Sequence, residues 1–268
     1  MHAYVINLVR SPERRAKVAA NLGRYGVDYE IVTAVDAQDL DLTFPRAADK
    51  VVPIFYDKFR PGEAACALSH MNVYRKILAD GLEWALVLED DIIAPPELSA
   101  IADAVAGCLE GAEVALLNFD SEEVVQVSRV GAIDLPATRQ LVAPVHVRQP
   151  ASGAAYVITR EACARMTERE FPIQTKADDW AHFIQTGSID RLRCVVPLAV
   201  RKDPGFGSTM GYYSHTSFRA RALAVIDRLG LGLFHRVVAY RRERIWRRYT
   251  QVEFLDDPSP SLPPSRRG

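Results

Sequence analysis

The chain has 268 residues, 49% of them hydrophobic and 25% charged, enough apolar material for one large α/β domain or two small ones. That composition excludes a disordered or fibrous chain. With 33 basic against 34 acidic residues and a net charge of −1, the whole protein is no polyanion binder.

The N-terminus, MHAYVINLVRSPERR, shows no basic leader, apolar stretch and cleavage site, and no run of about 18 uncharged apolar residues occurs. Four cysteines (Cys66, Cys108, Cys163, Cys194) lie far apart, with no C-x-x-C pair and no metal-ligand spacing. They read as small buried hydrophobes in a reducing compartment, and a cytoplasmic location is expected.

Ala3 to Leu8 has strand character. Ser11-Pro12-Glu13 then opens a helix, with Ser11 as cap and Pro12 at its first position, and Gly26 can end it near Tyr25. Tyr29 to Val32 is a second strand, so the segment reads as a β-α-β unit. Thr43 to Pro61 is broken by prolines and reads as a loop. Helical spacing returns over Gly62 to Asp80, and Gly81 stops it.

Trp84 to Leu88 is a continuously apolar strand, as expected where helices cover both faces. Pro95-Pro96 starts a helix and Val114 to Phe119 is a strand, whereas Ser121 to Gln149 has no clear pattern. Ala154 to Ile158 and Leu192 to Val196 are strands, with a helix from Glu161 between them. Strands alternating with helices over the first 200 residues predict a doubly wound α/β sheet, mostly parallel, with ligands at the carboxyl ends of its strands.

Glu89-Asp90-Asp91 stands directly after the strand WALVL. Core packing has no use for three adjacent carboxylates. On an extended chain Glu89 and Asp91 project to one side and Asp90 to the other, so Glu89 and Asp91 are candidate ligands for Mg²⁺ or Mn²⁺ shared with a phosphate. The alternative is a solvated acidic turn. No G-x-G-x-x-G or Walker loop follows the first strand, which disfavours a Rossmann dehydrogenase or a P-loop nucleotidase. Asn7, Arg10, Arg14 and Arg15 stand at that turn instead.

Glu63, His70 and Tyr74 share a helix face, with His70 read as a hydrogen-bonded helix residue. Asp178 and Asp179 form a second acidic cluster before Trp180. Either could be a general base if it faces the first cluster, or a helix N-cap.

Taken together, VINLVRSPERRAKV, AVDA, GEAACALSHMNVYRKIL, ALVLEDDI, SGAAYVITREAC and ADDW resemble successive blocks of glycosyltransferase family 25, in order, from Val5 to about Trp180. The resemblance implies a GT-A-like nucleotide-sugar-binding fold, a UDP-sugar donor (most commonly UDP-galactose), Mn²⁺ (or Mg²⁺) dependence and inversion at the transferred sugar. By position, Glu89 to Asp91 replace the family's metal and nucleotide-sugar motif, with Glu89 and Asp91 on the metal and Asp90 on the nucleotide side. The same resemblance implies that Asn7, Arg14, Ala34 and Asp36 would lie around the uridine and makes Asp178 or Asp179 the candidate base. The match loosens over VVPLAVRKDPGFGSTMGYYSHTSF, where His215 is the candidate late metal ligand. The implied acceptor is a hydroxyl of a cell-surface glycan such as lipopolysaccharide.

Between Arg219 and Arg248 nine arginines face only Asp227 and Glu243, a net of +7 that leaves −8 for the remainder. An arginine-rich helix with Trp246 and Tyr249 would suit an anionic membrane surface and a lipid-linked acceptor. It would equally pack back on the acidic body. No aromatic platform for nucleic acid interleaves with the arginines. The expected division is a transferase domain over 1–215, a basic helical extension over 216–250 and a disordered tail over 251–268. Two other functions compete: a metal-dependent nucleotidyl or phosphoryl transferase, which lacks a further phosphate cradle, and a non-catalytic relative acting as a membrane-surface scaffold.

Overall fold

A computed structural model describes residues 1–40, 60–203, 206 and 248–256. Most of the loop expected over 43–61, His215 and residues 216–247 lie outside them. The β-α-β opening forms as its pattern dictates, with β1 (Ala3–Asn7), α1 (Pro12–Arg24) and β2 (Tyr29–Thr33), and Gly26 turns the chain at φ +64°. Ser11 occupies the N-cap position of α1, but its side chain makes no capping hydrogen bond. A 3-10 turn over Ala37–Asp39 follows.

The chain continues through α2 (Pro61–Ala79), β3 (Trp84–Glu89), the short β4 (Ile92–Ile93), α3 (Leu98–Ala106) and β5 (Glu113–Leu116). Pro95 and Pro96 precede α3 rather than start it, since Glu97 is its N-cap. The stretch without a clear pattern is a hairpin of β6 (Val125–Leu135) and β7 (Arg139–Pro144). Then come β8 (Ala155–Thr159), α4 (Arg160–Arg169), α5 (Trp180–Gln185), β9 (Arg191–Val196), the two-residue β10 (Arg201–Lys202) and β11 (Val252–Leu255).

Nine strands form one sheet in the order β11-β6-β7-β9-β5-β8-β3-β1-β2. Seven point one way, while β8 and β7 run against their neighbours. The sheet is therefore mostly parallel by direction, yet the doubly wound expectation is corrected at its centre, where β8 is wedged antiparallel between β3 and β5. A second correction concerns the expected disordered tail: Val252–Leu255 adds a parallel strand to the edge at β6.

Alternation along the strands splits the core in two. Tyr4, Ile6, Ala85, Val87, Tyr156 and Ile158 face α2, α4 and α5. Ala3, Val5, Leu86, Leu88, Ala155 and Val157 face α1 and α3. This period of two decides where the residues following β3 project.

Candidate active site

Five segments meet at the carboxyl ends of β1 and β3. Glu89 continues the parity of Ala85 and Val87 and lies on the α2 side, where its Oε1 is 3.5 Å from His70 Nε2. Asp90 continues the parity of Leu86 and Leu88 and lies on the α1 side. There Asn7 Nδ2 and Arg14 Nη1 each donate to one of its oxygens at 2.7 Å. All three side chains are buried. The predicted nucleotide residues Asn7, Arg14 and Asp90 thus clasp one another and tie the first turn of α1 to the end of β3.

Asp91 comes next, with Arg14 Nη1 at 3.7 Å from its Oδ2 and its Oδ1 buried without a hydrogen-bond partner. Burial, together with the charge of Glu89, raises its carboxyl to about 6. The Asp91 carbonyl accepts from Asp203 N at 2.6 Å. β10 pairs antiparallel with β4 in the same stretch, which carries Lys202 over the acidic group. Lys202 donates to Asp120 Oδ2 at 2.8 Å. Burial pulls its ammonium down, but the negative field of Asp120, Glu89 and Asp91 outweighs burial and holds it above its ordinary range.

The second acidic cluster splits cleanly. Asp179 is the N-cap of α5: it accepts from His182 N at 3.2 Å and from Thr175 Oγ1 at 2.7 Å. Asp178 does not cap. Burial raises its carboxyl first, and the charges of Glu89 and Asp120 raise it further, so it belongs electrostatically to the first cluster. Lys176 Nζ, 2.9 Å from the buried Glu63, fastens this loop to the start of α2.

On the far side of β1, Ala34 N donates to Asn7 O at 2.9 Å and Val35 N to Ser69 Oγ at 2.9 Å. Asp36 accepts from Gln38 N at 3.0 Å and from Arg10 Nε, and these bonds hold its carboxyl below the ordinary range. Ala34 and Asp36 therefore sit on the loop beside Asn7. His215 lies outside the described residues.

Cys66, read from sequence as a small buried hydrophobe, and His70, read as a hydrogen-bonded helix residue, meet Glu89 at this end. Cys66, His70 and Glu89 bring a sulfur, a nitrogen and an oxygen within 4.8 Å of one another. Helical spacing of four between Cys66 and His70 was the available signal. Gly153 permits the approach: a Cβ there would stand 3.1 Å from His70 Nε2 and 3.4 Å from Glu89 Oε1. Before it, Ser152 holds φ +152° while its Oγ donates to Asn118 Oδ1 at 3.2 Å and accepts from Ala154 N at 3.1 Å. A non-glycine residue in that region is strained, and here the strain sits beside the acidic group.

The acidic group, with Lys202 beside it, stands at the carboxyl end of a buried strand, where ligands bind in sheets of this kind. The model of glycosyltransferase family 25 (LPS biosynthesis protein) matches residues 1–181, and the chain belongs to that family. A glycosyltransferase 25 family member of Aedes aegypti is 42% identical over 101 residues, 35% of this chain and 17% of that protein. Procollagen galactosyltransferase 1 of Danio rerio is 36% identical over 95 residues, 33% of this chain and 16% of its own length. A mouse relative at 30% identity over 95 residues bears the name inactive glycosyltransferase 25 family member 3. The chain thus spans about a sixth of the length of these relatives.

Proposed function

We propose that this chain is a metal-dependent, inverting glycosyltransferase with a GT-A-like fold. It moves a hexose, galactose by analogy with the procollagen galactosyltransferase relatives, from a UDP-sugar to a hydroxyl of a cell-surface glycan. One observation carries the reading: Glu89, Asp91 and Asp178 share an electrostatic field at the carboxyl end of β3, with Lys202 over them.

A divalent ion suits Glu89 and Asp91, because the buried Asp91 Oδ1 has no hydrogen-bond partner and a hard cation takes carboxylate oxygen. When bound, such an ion offsets the charge of the departing diphosphate. Lys202 adds positive charge on the same side. Asp178, its carboxyl raised, takes the proton from the acceptor hydroxyl as that oxygen attacks the anomeric carbon opposite the leaving group. The Asn7–Arg14–Asp90 clasp holds the first turn rigid, and Ala34 and Asp36 frame the nucleoside beside it.

The arginine-rich segment between Arg219 and Arg248 supports a further part of the reading, docking on an anionic inner membrane surface that presents a lipid-linked acceptor. Calorimetric titration of UDP with Mn²⁺ and then with EDTA tests the core of the proposal. Metal-dependent binding, lost in Asp91→Asn, supports it. Absence of UDP binding in both conditions overturns it and favours a non-catalytic member, the class to which the mouse relative's name assigns that protein.

A further inference from the structure

His70 is buried, with its side chain 2% exposed. Its Nδ1 lies 2.8 Å from Tyr156 Oη, and Tyr156 donates its own proton to Tyr74 Oη at 3.0 Å. With that proton spent, Tyr156 must accept from Nδ1–H, so the chain of hydroxyls fixes the tautomer. The lone pair of Nε2 then points away from the tyrosines, toward Glu89 Oε1 at 3.5 Å. Nε2 has no hydrogen-bond partner. Across 3.5 Å these two atoms call for a cation between them, either a proton on Nε2, which makes an ion pair, or a metal ion.

Cys66 supplies the third donor. It stands four residues before His70 in α2, on the same face of the helix, and its Sγ completes the group whose ligand atoms lie within 4.8 Å. Two ligands at i and i+4 of one helix with a carboxylate from a neighbouring strand make a three-ligand site that leaves a coordination position open. A ligating histidine is oriented by a hydrogen bond from its other ring nitrogen, most often to a carboxylate, carbonyl or water, and Tyr156 Oη takes that place here. Gly153 closes the other side without a side chain that would fill the space.

We infer that Cys66, His70 and Glu89 form a binding site for a borderline-soft divalent ion of the Zn²⁺ class, which shares Glu89 with the Glu89–Asp91 pair and replaces Asp91 by a sulfur and a nitrogen donor. Thiolate and imidazole select Zn²⁺ or Co²⁺ over Mg²⁺ or Mn²⁺, which prefer oxygen alone. Coordination replaces the thiol proton by the metal and releases that proton to solvent, while Nε2 and the carboxylate bind without losing one. The site rests on these side chains and stands whether or not the chain transfers a sugar.

The test is titration of the metal-free full chain with Co²⁺, followed by optical absorption, with Zn²⁺ as competitor. The expected result is a thiolate-to-cobalt charge-transfer band that Zn²⁺ abolishes. That band is absent in Cys66→Ser and His70→Gln and present in Asp91→Asn. Tyr156→Phe, which keeps the shape but not the hydroxyl, weakens binding by about 10- to 100-fold. A measurement on the unaltered chain guards against a variant that fails to fold. Zn²⁺ slows maleimide labelling of Cys66, read by peptide mass spectrometry, and leaves Cys108 unchanged. A Co²⁺ complex without the band, or Cys66 labelling indifferent to Zn²⁺, overturns the site and leaves His70 and Glu89 as an ion pair.

Discussion

Gly153 stands so close to His70 that a methyl group in place of its hydrogen would come within 3.1 Å of both Cε1 and Nε2 of the ring. The neighbour that would have to give is an imidazole locked by Tyr156, and behind it the core filled by Tyr74 and Trp180. Gly153→Ala is therefore expected to cost about 1–3 kcal/mol of stability through overpacking. It should also push His70 and Glu89 apart. Urea unfolding measures the first effect and loss of Co²⁺ affinity the second. A variant with wild-type values for both contradicts the packing described.

Asp90 accepts from both Asn7 and Arg14 in a buried setting. Removing the carboxylate takes from the buried Arg14 its closest anionic partner and leaves Asp91 at 3.7 Å as the nearest carboxylate, so Asp90→Ala should destabilise the fold by about 2–3 kcal/mol. Asp36→Ala, by contrast, removes a partner of Arg10, which is 43% exposed, and should cost less than about 1 kcal/mol. Equal losses in chemical denaturation would contradict a clasp role for Asp90.

Asp178 and Asp179 are expected to separate kinetically. Asp178→Asn should lower transfer by about a hundredfold or more while leaving UDP binding intact. Because burial and then the charge of Glu89 raise the Asp178 carboxyl, the acid limb of the rate should lie above the pH at which an ordinary aspartate ionises. Asp179→Asn keeps a capping oxygen and should show a mild phenotype. A pH–rate profile of both variants decides, and a severe effect confined to Asp179→Asn would reverse the assignment.

Away from the site, His182 Nε2 and Glu170 Oε2 pair at 2.9 Å. Hydrogen bonding to Glu170 raises His182 above its ordinary 6.5, against the pull of burial. Burial pushes Glu170 up, but hydrogen bonds from His182, Ser188 and Thr186 outweigh it and leave Glu170 below its ordinary 4.5. The raised histidine contributes stability that is complete below pH 6.5 and fades as pH climbs through its folded value. The lowered carboxylate contributes stability present above pH 4.5 and lost as pH falls. Thermal midpoints should thus be highest between those two values. His182→Gln should flatten the alkaline side, and an unchanged alkaline slope would show that the pair does not govern it.

The elements around the site were legible where local pattern and tertiary role agree. The apolar run before Glu89, Pro12 opening α1 and Gly81 at φ +70° all announce themselves, whereas Pro61, read as the end of a loop, is the first residue of α2. The β6–β7 hairpin does not. Its connection, Pro136-Ala137-Thr138, places Ala137 and Thr138 at φ 56°, a region usually signalled by Gly or Asn, so Pro136 is its only turn residue and the left-handed positions go unmarked. The reversed direction of β8 was equally hidden, because AYVIT buried on both faces reads alike in either sense.

At the site, period-two alternation separates Glu89 from Asp90, but the chain turns at 90–91 and Arg14 reaches both Asp90 and Asp91, so alternation does not carry on to Asp91. Asp178 and Asp179 could not be told apart from spacing, since the distinction lies in which one Thr175 and the first turn of α5 engage. Lys202 and Asp120 meet only because β10 folds back on β4, a pairing of two residues with no periodicity of its own.

The last described strand also limits how the sheet can grow. β11 lies along β6 with Val252 opposite Val125 and Leu255 opposite Ser128. Gln126 reaches Glu253 at 3.0 Å, and Arg129 reaches Asp256 at 3.0 Å. Four residues bearing an acidic side chain make a poor template for another chain, whereas β6 without them would offer a longer apolar edge near the exposed Val124 and Val130. The short strand thus covers the β6 edge, and a chain cut before Gln251 is expected to expose that edge for pairing with another copy, which a rise in apparent mass on gel filtration would reveal.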